Sequence, residues 1–163
     1  MSDKIRILVV DDHPLVREGL QAVIAIEPDM EIVGQAADGQ AAVWNAARLA
    51  PDVILMDLLM PGMSGSEAIA AILDEQGQDG PRILVLTSVD DLNTARDTIH
   101  LGALGFVHKN VPPEELLDAI RTVHRGSVVL PASLAMALLE NAPAPSPPPD
   151  PFDSLTEREL QVP

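Results

Sequence analysis

The chain has 163 residues, enough for one domain of ordinary size with a real core, plus a remainder. Its formal net charge of -15 argues against nucleic-acid or anionic-membrane binding by this chain alone, and with no cysteine it has neither a disulfide framework nor a Cys-ligated metal. Hydrophobic residues make up 47% but aromatics only 2%, so the core must be aliphatic, and no stretch approaches the ~20 apolar residues of a membrane helix. The first apolar run, Ile7-Leu8-Val9-Val10, is too short for a signal-peptide core, and the sequence reads as a soluble cytoplasmic protein.

Strand-like runs alternate with helix-like segments, the pattern of a parallel sheet covered on both faces. It predicts strands near 5–10, 31–36, 53–57, 82–87 and 104–108, and helices near 14–26, 39–49, 65–75, 91–101 and 113–125. Pro14 and Pro113 stand where a first helical turn begins, and Glu114-Glu115 place negative charge at that helix's positive end. Gly102 stands where a helix ends on glycine. Segment 132–141 is expected to add one short helix. Residues 142–151 then hold six prolines, an extended spacer on the order of 30 Å long. Beyond it, Thr156-x-x-Glu159 has the form of a capping box and starts a helix that stops at Pro163, so truncation before a second domain is expected.

Chemistry collects at the strand ends. Val53-Ile54-Leu55-Met56 runs into Asp57, and Ile7-Leu8-Val9-Val10 into Asp11-Asp12. Ile83-Leu84-Val85-Leu86 ends in Thr87, and Leu104-Gly105-Phe106-Val107-His108 in Lys109. In parallel α/β sheets, ligands bind at this C-terminal edge. One Asp after a strand is usually a turn or cap residue, and Lys109 or Thr87 alone could be a loop lysine and a cap. Five matched residues on four strand ends are not explained that way. Three acids repel one another unless a cation joins them, and Mg²⁺ favours carboxylate, water and phosphate oxygens. Lys109 and Thr87 suit a phosphoryl group, and Asp57 is then either a metal ligand only or also a nucleophile. The spacing of His13, His100, His108 and His124 fits no metal motif, which assigns them structural or surface roles. Trp44 is expected on a helix, packed at the sheet or its rim, and the methionines as core filler.

Three stretches carry a family resemblance: Val9-Val10-Asp11-Asp12-His13-Pro14, Met56 to Gly65, and Gly102 to Lys109. Together they resemble a two-component response-regulator receiver domain, over residues 4 to about 125. The Asp-Asp-His-Pro start, Pro112-Pro113-Glu114-Glu115-Leu116 and Leu155-Thr156-Glu157-Arg158-Glu159-Leu160 are similar to the NarL/FixJ subfamily, whose second domain is a LuxR-type helix-turn-helix. The resemblance implies a doubly wound five-stranded parallel sheet in the flavodoxin-like order 2-1-3-4-5, with helices on both faces. It divides the chain into a receiver domain at 1–127, a helical extension at 128–141, a Pro-rich linker at 142–153 and the start of a DNA-binding domain at 154–163.

By position, the resemblance implies that Asp57 accepts a phosphoryl group from a sensor histidine kinase. Asp12 would ligate Mg²⁺ directly, Asp11 through water, and Asp57 and the Leu59 carbonyl would complete the protein ligands. Lys109 would pair with the phosphoryl group, Thr87 would move toward it, and Phe106 would turn into the vacated space. Leu59, Ser64 and Asn110 depart from the common pattern without removing a catalytic group; apolar Leu59 and Val89 flank the site where receivers tune access of the hydrolytic water. The implied protein is a switch, not an enzyme, with a homodimer as one way phosphorylation acts, DNA bound only through the further domain, and no membrane partner. The alternative, a Mg²⁺-dependent phosphohydrolase of the haloacid dehalogenase kind, wants a second Asp two residues after its nucleophile, where this chain has Leu59.

Overall fold

Five apolar segments form strands and the amphipathic segments between them form helices. The computed structural model describes residues 4–88, 92–130 and 135–136. In chain order the elements are β1 (Ile5–Val10), α1 (Pro14–Ala25), β2 (Met30–Ala36), α2 (Gly39–Leu49) and β3 (Val53–Met56). There follow α3 (Gly65–Gln76), a single 3₁₀ turn (Gly77–Asp79), β4 (Arg82–Thr87), α4 (Leu92–Leu101), β5 (Gly105–His108) and α5 (Pro113–His124). All strand pairs are parallel and the order is β2-β1-β3-β4-β5, as expected. Element ends differ from the sequence expectation by one residue or so, because the terminal hydrogen bonds, not hydropathy, set them.

Each inner strand is buried on both faces, which is why it reads as a continuous apolar run. Ile7, Val9, Val53, Leu55, Leu84, Leu86 and Val107 join Ile24 of α1 and Leu116, Leu117, Ile120 and Val123 of α5 in one cluster. By strand alternation the intervening residues Leu8, Val10, Ile54, Met56, Val85 and Phe106 belong to the opposite face, with α2, α3 and α4. Truncating any of these large side chains to Ala would cost about 2–5 kcal/mol. Arg121 of α5 reaches Asp29 at 2.8 Å and Glu27 at 2.7 Å, tying α5 to the turn between α1 and β2.

Local chemistry places the helix ends. Pro14 and Pro113 occupy first turns, as their fixed φ favours. Gly102, at φ 120, closes α4 in a backbone region that other residues avoid. A reciprocal capping box starts α3: the Ser64 hydroxyl accepts from the Glu67 amide at 3.2 Å, and Glu67 accepts from the Ser64 amide at 2.9 Å. β2 carries a bulge opposite Ile7 and Leu8, where Val33 is passed over and Gly34 takes the next pairing.

Trp44 corrects an expectation. It lies on α2 but is 68% exposed. The buried residues of α2 are Gly39, Ala42 and Ala46, so Trp44, two positions from either alanine, points to the opposite side. Of the methionines, Met30 and Met56 are core residues, whereas Met136 is 62% exposed.

Past α5, Val129 pairs with the edge of β5. Its amide donates to Leu104 and its carbonyl accepts from the Phe106 amide, both at 3.0 Å. The chain divides into two compact units, Met1–Pro131 and Ala132–Pro163. In the second, only Ala135 and Met136 are described, and both are helical. The rest of the expected 132–141 helix, the proline-rich spacer, the Thr156–Glu159 box and Val89 lie outside the described residues. Among those residues no helix is long and apolar enough to cross a membrane.

Candidate functional site

The register delivers the acids side by side. Val10 pairs with Met56, and the Asp57 amide donates to the Val10 carbonyl at 3.0 Å, so Asp11 and Asp57 leave adjacent strands together. Asp11 is fixed from the other side, its amide donating to Ala36 at 3.0 Å. On the far strands Thr87 pairs with His108, and the Lys109 amide donates to the Thr87 carbonyl at 2.9 Å. The five strand-end residues singled out in the sequence therefore emerge along one edge of the sheet.

The site is mostly closed to solvent. Asp11, Asp57 and Thr87 are buried, Asp12 is partly buried, and the Lys109 side chain is 17% exposed. Lys109 Nζ lies 2.6 Å from Asp11 Oδ2 and 3.5 Å from Asp57 Oδ2. Asp57 Oδ1 accepts a long hydrogen bond, 3.4 Å, from the Leu59 amide. Asp57 Oδ2 and Asp12 Oδ1 are buried oxygens without an aligned donor among the described residues.

Burial pushes the Asp57 carboxyl above the ordinary Asp range, and the neighbouring Asp11 charge pushes it further, against a partial offset from Lys109. Burial also pushes Asp11 upward, but there it is outweighed. The Lys109 hydrogen bond, the His13 amide and the Lys109 charge bring Asp11 net below its usual value. Two neighbouring carboxyls are thus driven apart, with the strained one at Asp57.

Asp11, Asp12, His13 and Asp57 each offer one ligand atom, all within 4.8 Å of one another. Spacing against the other histidines does not place His13 here. His13 Nδ1 is 3.0 Å from Asp11 Oδ1 and 3.1 Å from Asp12 Oδ1, the second contact misaligned for a hydrogen bond. The available signal was its place directly after the Asp pair at the end of an apolar run. Leu59 is 59% exposed at the rim, two residues after Asp57, so no general acid stands at that position. Phe106 is buried within β5 on the same sheet face as Val85 and Thr87.

Buried Asp57 and Asp12 oxygens with no aligned donor fit a hard divalent cation, which prefers an all-oxygen shell and retains waters. Gly65 makes room for the loop after Asp57. A Cβ at residue 65 would meet Leu58 Cα at 2.7 Å and press on the Asp57 carbonyl.

Comparison with known proteins agrees with this geometry. Residues 7–121 match the response regulator receiver domain family. The chain is 41% identical to the transcriptional regulatory protein LiaR of Bacillus subtilis over 158 residues, covering 97% of this chain and 74% of LiaR. A LuxR-family two-component response regulator from Aurantimonas sp. SI85-9A1 superposes with a TM-score of 0.78 at 35% identity, covering 85% of this chain and 97% of that one. The signal receiver domain of a NarL response regulator from Mycobacterium tuberculosis gives a TM-score of 0.71 at 34% identity, over 76% of this chain and 98% of the other. A strand-end acid cluster in a 2-1-3-4-5 sheet and this family match converge: the chain belongs to the receiver domains of two-component response regulators, among relatives of the NarL/LuxR type.

Proposed function

We propose that Asp57 is the phosphoryl acceptor, charged by the phosphohistidine of a sensor histidine kinase in the cytoplasm, where ATP-fed kinases operate. The observation that carries this reading is Asp57 itself: a buried carboxylate whose Oδ2 has no aligned donor, facing Lys109 at 3.5 Å. Attack by that oxygen on phosphorus forms an acyl phosphate as the P–N bond to the imidazole breaks. Lys109, already inside the site, turns from Asp11 to the incoming phosphoryl oxygens, and the Thr87 hydroxyl donates to another. Asp11, Asp12, Asp57 and the Leu59 carbonyl would hold Mg²⁺. When bound, the ion neutralises the acids and the transferring group. The output of this switch is transcription: the chain's state would govern a DNA-binding domain joined through the proline-rich segment 142–153, and self-association is one way of doing so.

The test is chemical. With Mg²⁺ and acetyl phosphate the chain should gain one base-labile acyl phosphate, and borohydride trapping with mass spectrometry should locate it at residue 57. An Asp57→Asn chain that labels to the same extent would overturn the assignment.

A further inference from the structure

His13 belongs to the acid cluster, yet the phosphoryl chemistry above gives it no task. Its position is set by the backbone rather than by chance. Pro14 follows it and favours the extended conformation that His13 adopts, at φ -98 and ψ 113. The His13 amide donates to Asp11 Oδ1 at 2.8 Å, folding residue 13 back over the cluster. His13 also stands at the N-cap of α1, but its side chain caps nothing there. The ring is instead directed at the acids, with Nδ1 3.0 Å from one Asp11 oxygen and 3.1 Å from one Asp12 oxygen. Without a cation, Nδ1–H donates to the Asp11 carboxylate, which can only accept. The side chain is otherwise 64% exposed, so when a cation takes the place of that proton, Nε2 can carry the ring proton in solvent. In that tautomer the Nδ1 lone pair is turned toward the acids, each of which offers one ligand atom within 4.8 Å of the others.

An imidazole nitrogen changes which cation such a site prefers. Mg²⁺ gains little from nitrogen and favours oxygen and water, whereas imidazole suits the later first-row metals. Lys109 occupies Asp11 Oδ2 and leaves Asp11 Oδ1 on the His13 side. The geometry points to His13 as a fourth side-chain ligand that biases this site toward transition metals such as Co²⁺ or Zn²⁺ over Mg²⁺. This inference rests on the reading of Asp11, Asp12 and Asp57 as a metal site.

Titration calorimetry of Co²⁺ and Mg²⁺ into the chain, its His13→Ala variant and its Asp57→Asn variant separates the two. Any such site binds Co²⁺ more tightly than Mg²⁺, so the informative quantity is the change on substitution. His13→Ala should weaken Co²⁺ by ~10-fold or more and move Mg²⁺ by less than ~2-fold. His100, His108 and His124 are present in all three proteins and cancel in the comparison. In NMR spectra, Co²⁺ should also shift the ring protons of His13 ahead of those of the other histidines. If His13→Ala leaves Co²⁺ affinity unchanged, or tightens both ions together, His13 is only a counterion and the inference fails. If Asp57→Asn changes neither affinity, it is the metal-site reading that fails instead.

Discussion

Lys109 is bound to Asp11, with Nζ 2.6 Å from Oδ2. The contact to Asp57, at 3.5 Å, is the looser of the two, so the resting site holds Lys109 on the acid that is not the proposed acceptor. Burial pushes both carboxyls upward; Lys109, together with the His13 amide, brings Asp11 net downward, while Asp57, with the weaker hold on Lys109 and the Asp11 charge beside it, stays raised. Asp11→Asn removes a like charge from Asp57 and releases Lys109 to it. The Asp57 carboxyl should then titrate at lower pH than in the parent, as followed by carboxyl carbon NMR in metal-free buffer. An unchanged or higher titration midpoint would break the link between the two acids.

Stability should follow the same asymmetry. Asp57 has a folded-state carboxyl raised above its unfolded value, so the native state holds that proton more tightly. That contribution favours the fold in acid and is lost as pH rises from the unfolded value through the folded one. Asp11 is lowered, so its contribution is present above the unfolded value and is lost as pH falls through the folded one. At neutral pH without metal, Asp57→Asn should therefore raise unfolding free energy by about 1 kcal/mol, while Asp11→Asn should lower it by about 1–3 kcal/mol. Urea denaturation in chelator is the measurement. Added Mg²⁺ should stabilise the parent chain but not Asp57→Asn.

Much of this was legible from residue order alone. Apolar runs marked the inner strands because burial on both faces leaves no polar alternation, and the residues ending those runs formed the site's edge. Pro14 and Pro113 marked helix starts because a fixed φ acts locally. What escaped depended on direction or distance. Trp44 was expected to pack because it is aromatic, but helical phase relative to Ala42 and Ala46 turns it outward. The Ser64–Glu67 box rests on two polar residues three apart and not on the apolar period that marks its helix. His13 escaped because its ligand geometry comes from neighbours in space, not from histidine spacing. Val129 escaped because one bridge to β5 leaves no hydrophobic period.

Gly65 offers a steric test of how closely α3 supports the acceptor. Its amide donates to the Leu58 carbonyl at 3.1 Å, and a Cβ there would collide with backbone rather than with a flexible side chain. Helix propensity alone would favour Ala by up to about 1 kcal/mol at this first helical position. The collision should win. Gly65→Ala is expected to cost about 1–3 kcal/mol of stability, as overpacking does, and to slow acetyl-phosphate labelling by displacing the Asp57–Leu58 backbone. A variant as stable as the parent, and labelled as fast, would show that α3 can move away at no cost.

A charge at Asp57 should reach the surface through Thr87 and Phe106. Thr87 and Phe106 sit on the same face of adjacent strands, in the register that pairs Thr87 with His108 and Val85 with Phe106. Phe106 is 4% exposed, so its ring cannot turn unless space opens beside it. Movement of Thr87 toward a phosphoryl group would supply that space. The Phe106 amide also donates to the Val129 carbonyl, so rearrangement of β5 is felt at once by the segment that leaves α5. A few kcal/mol of differential interaction is enough to shift such a two-state pair. Beryllofluoride with Mg²⁺, a mimic of the acyl phosphate, should therefore move the amide resonances of Phe106, Val129 and the α4–β5–α5 face as well as those around Asp57. Phe106→Ala should leave the shifts near Asp57 in place and remove those at Val129. Shifts confined to the loops around Asp57 in the parent chain would mean that Phe106 is fixed core packing and that the signal leaves by another route.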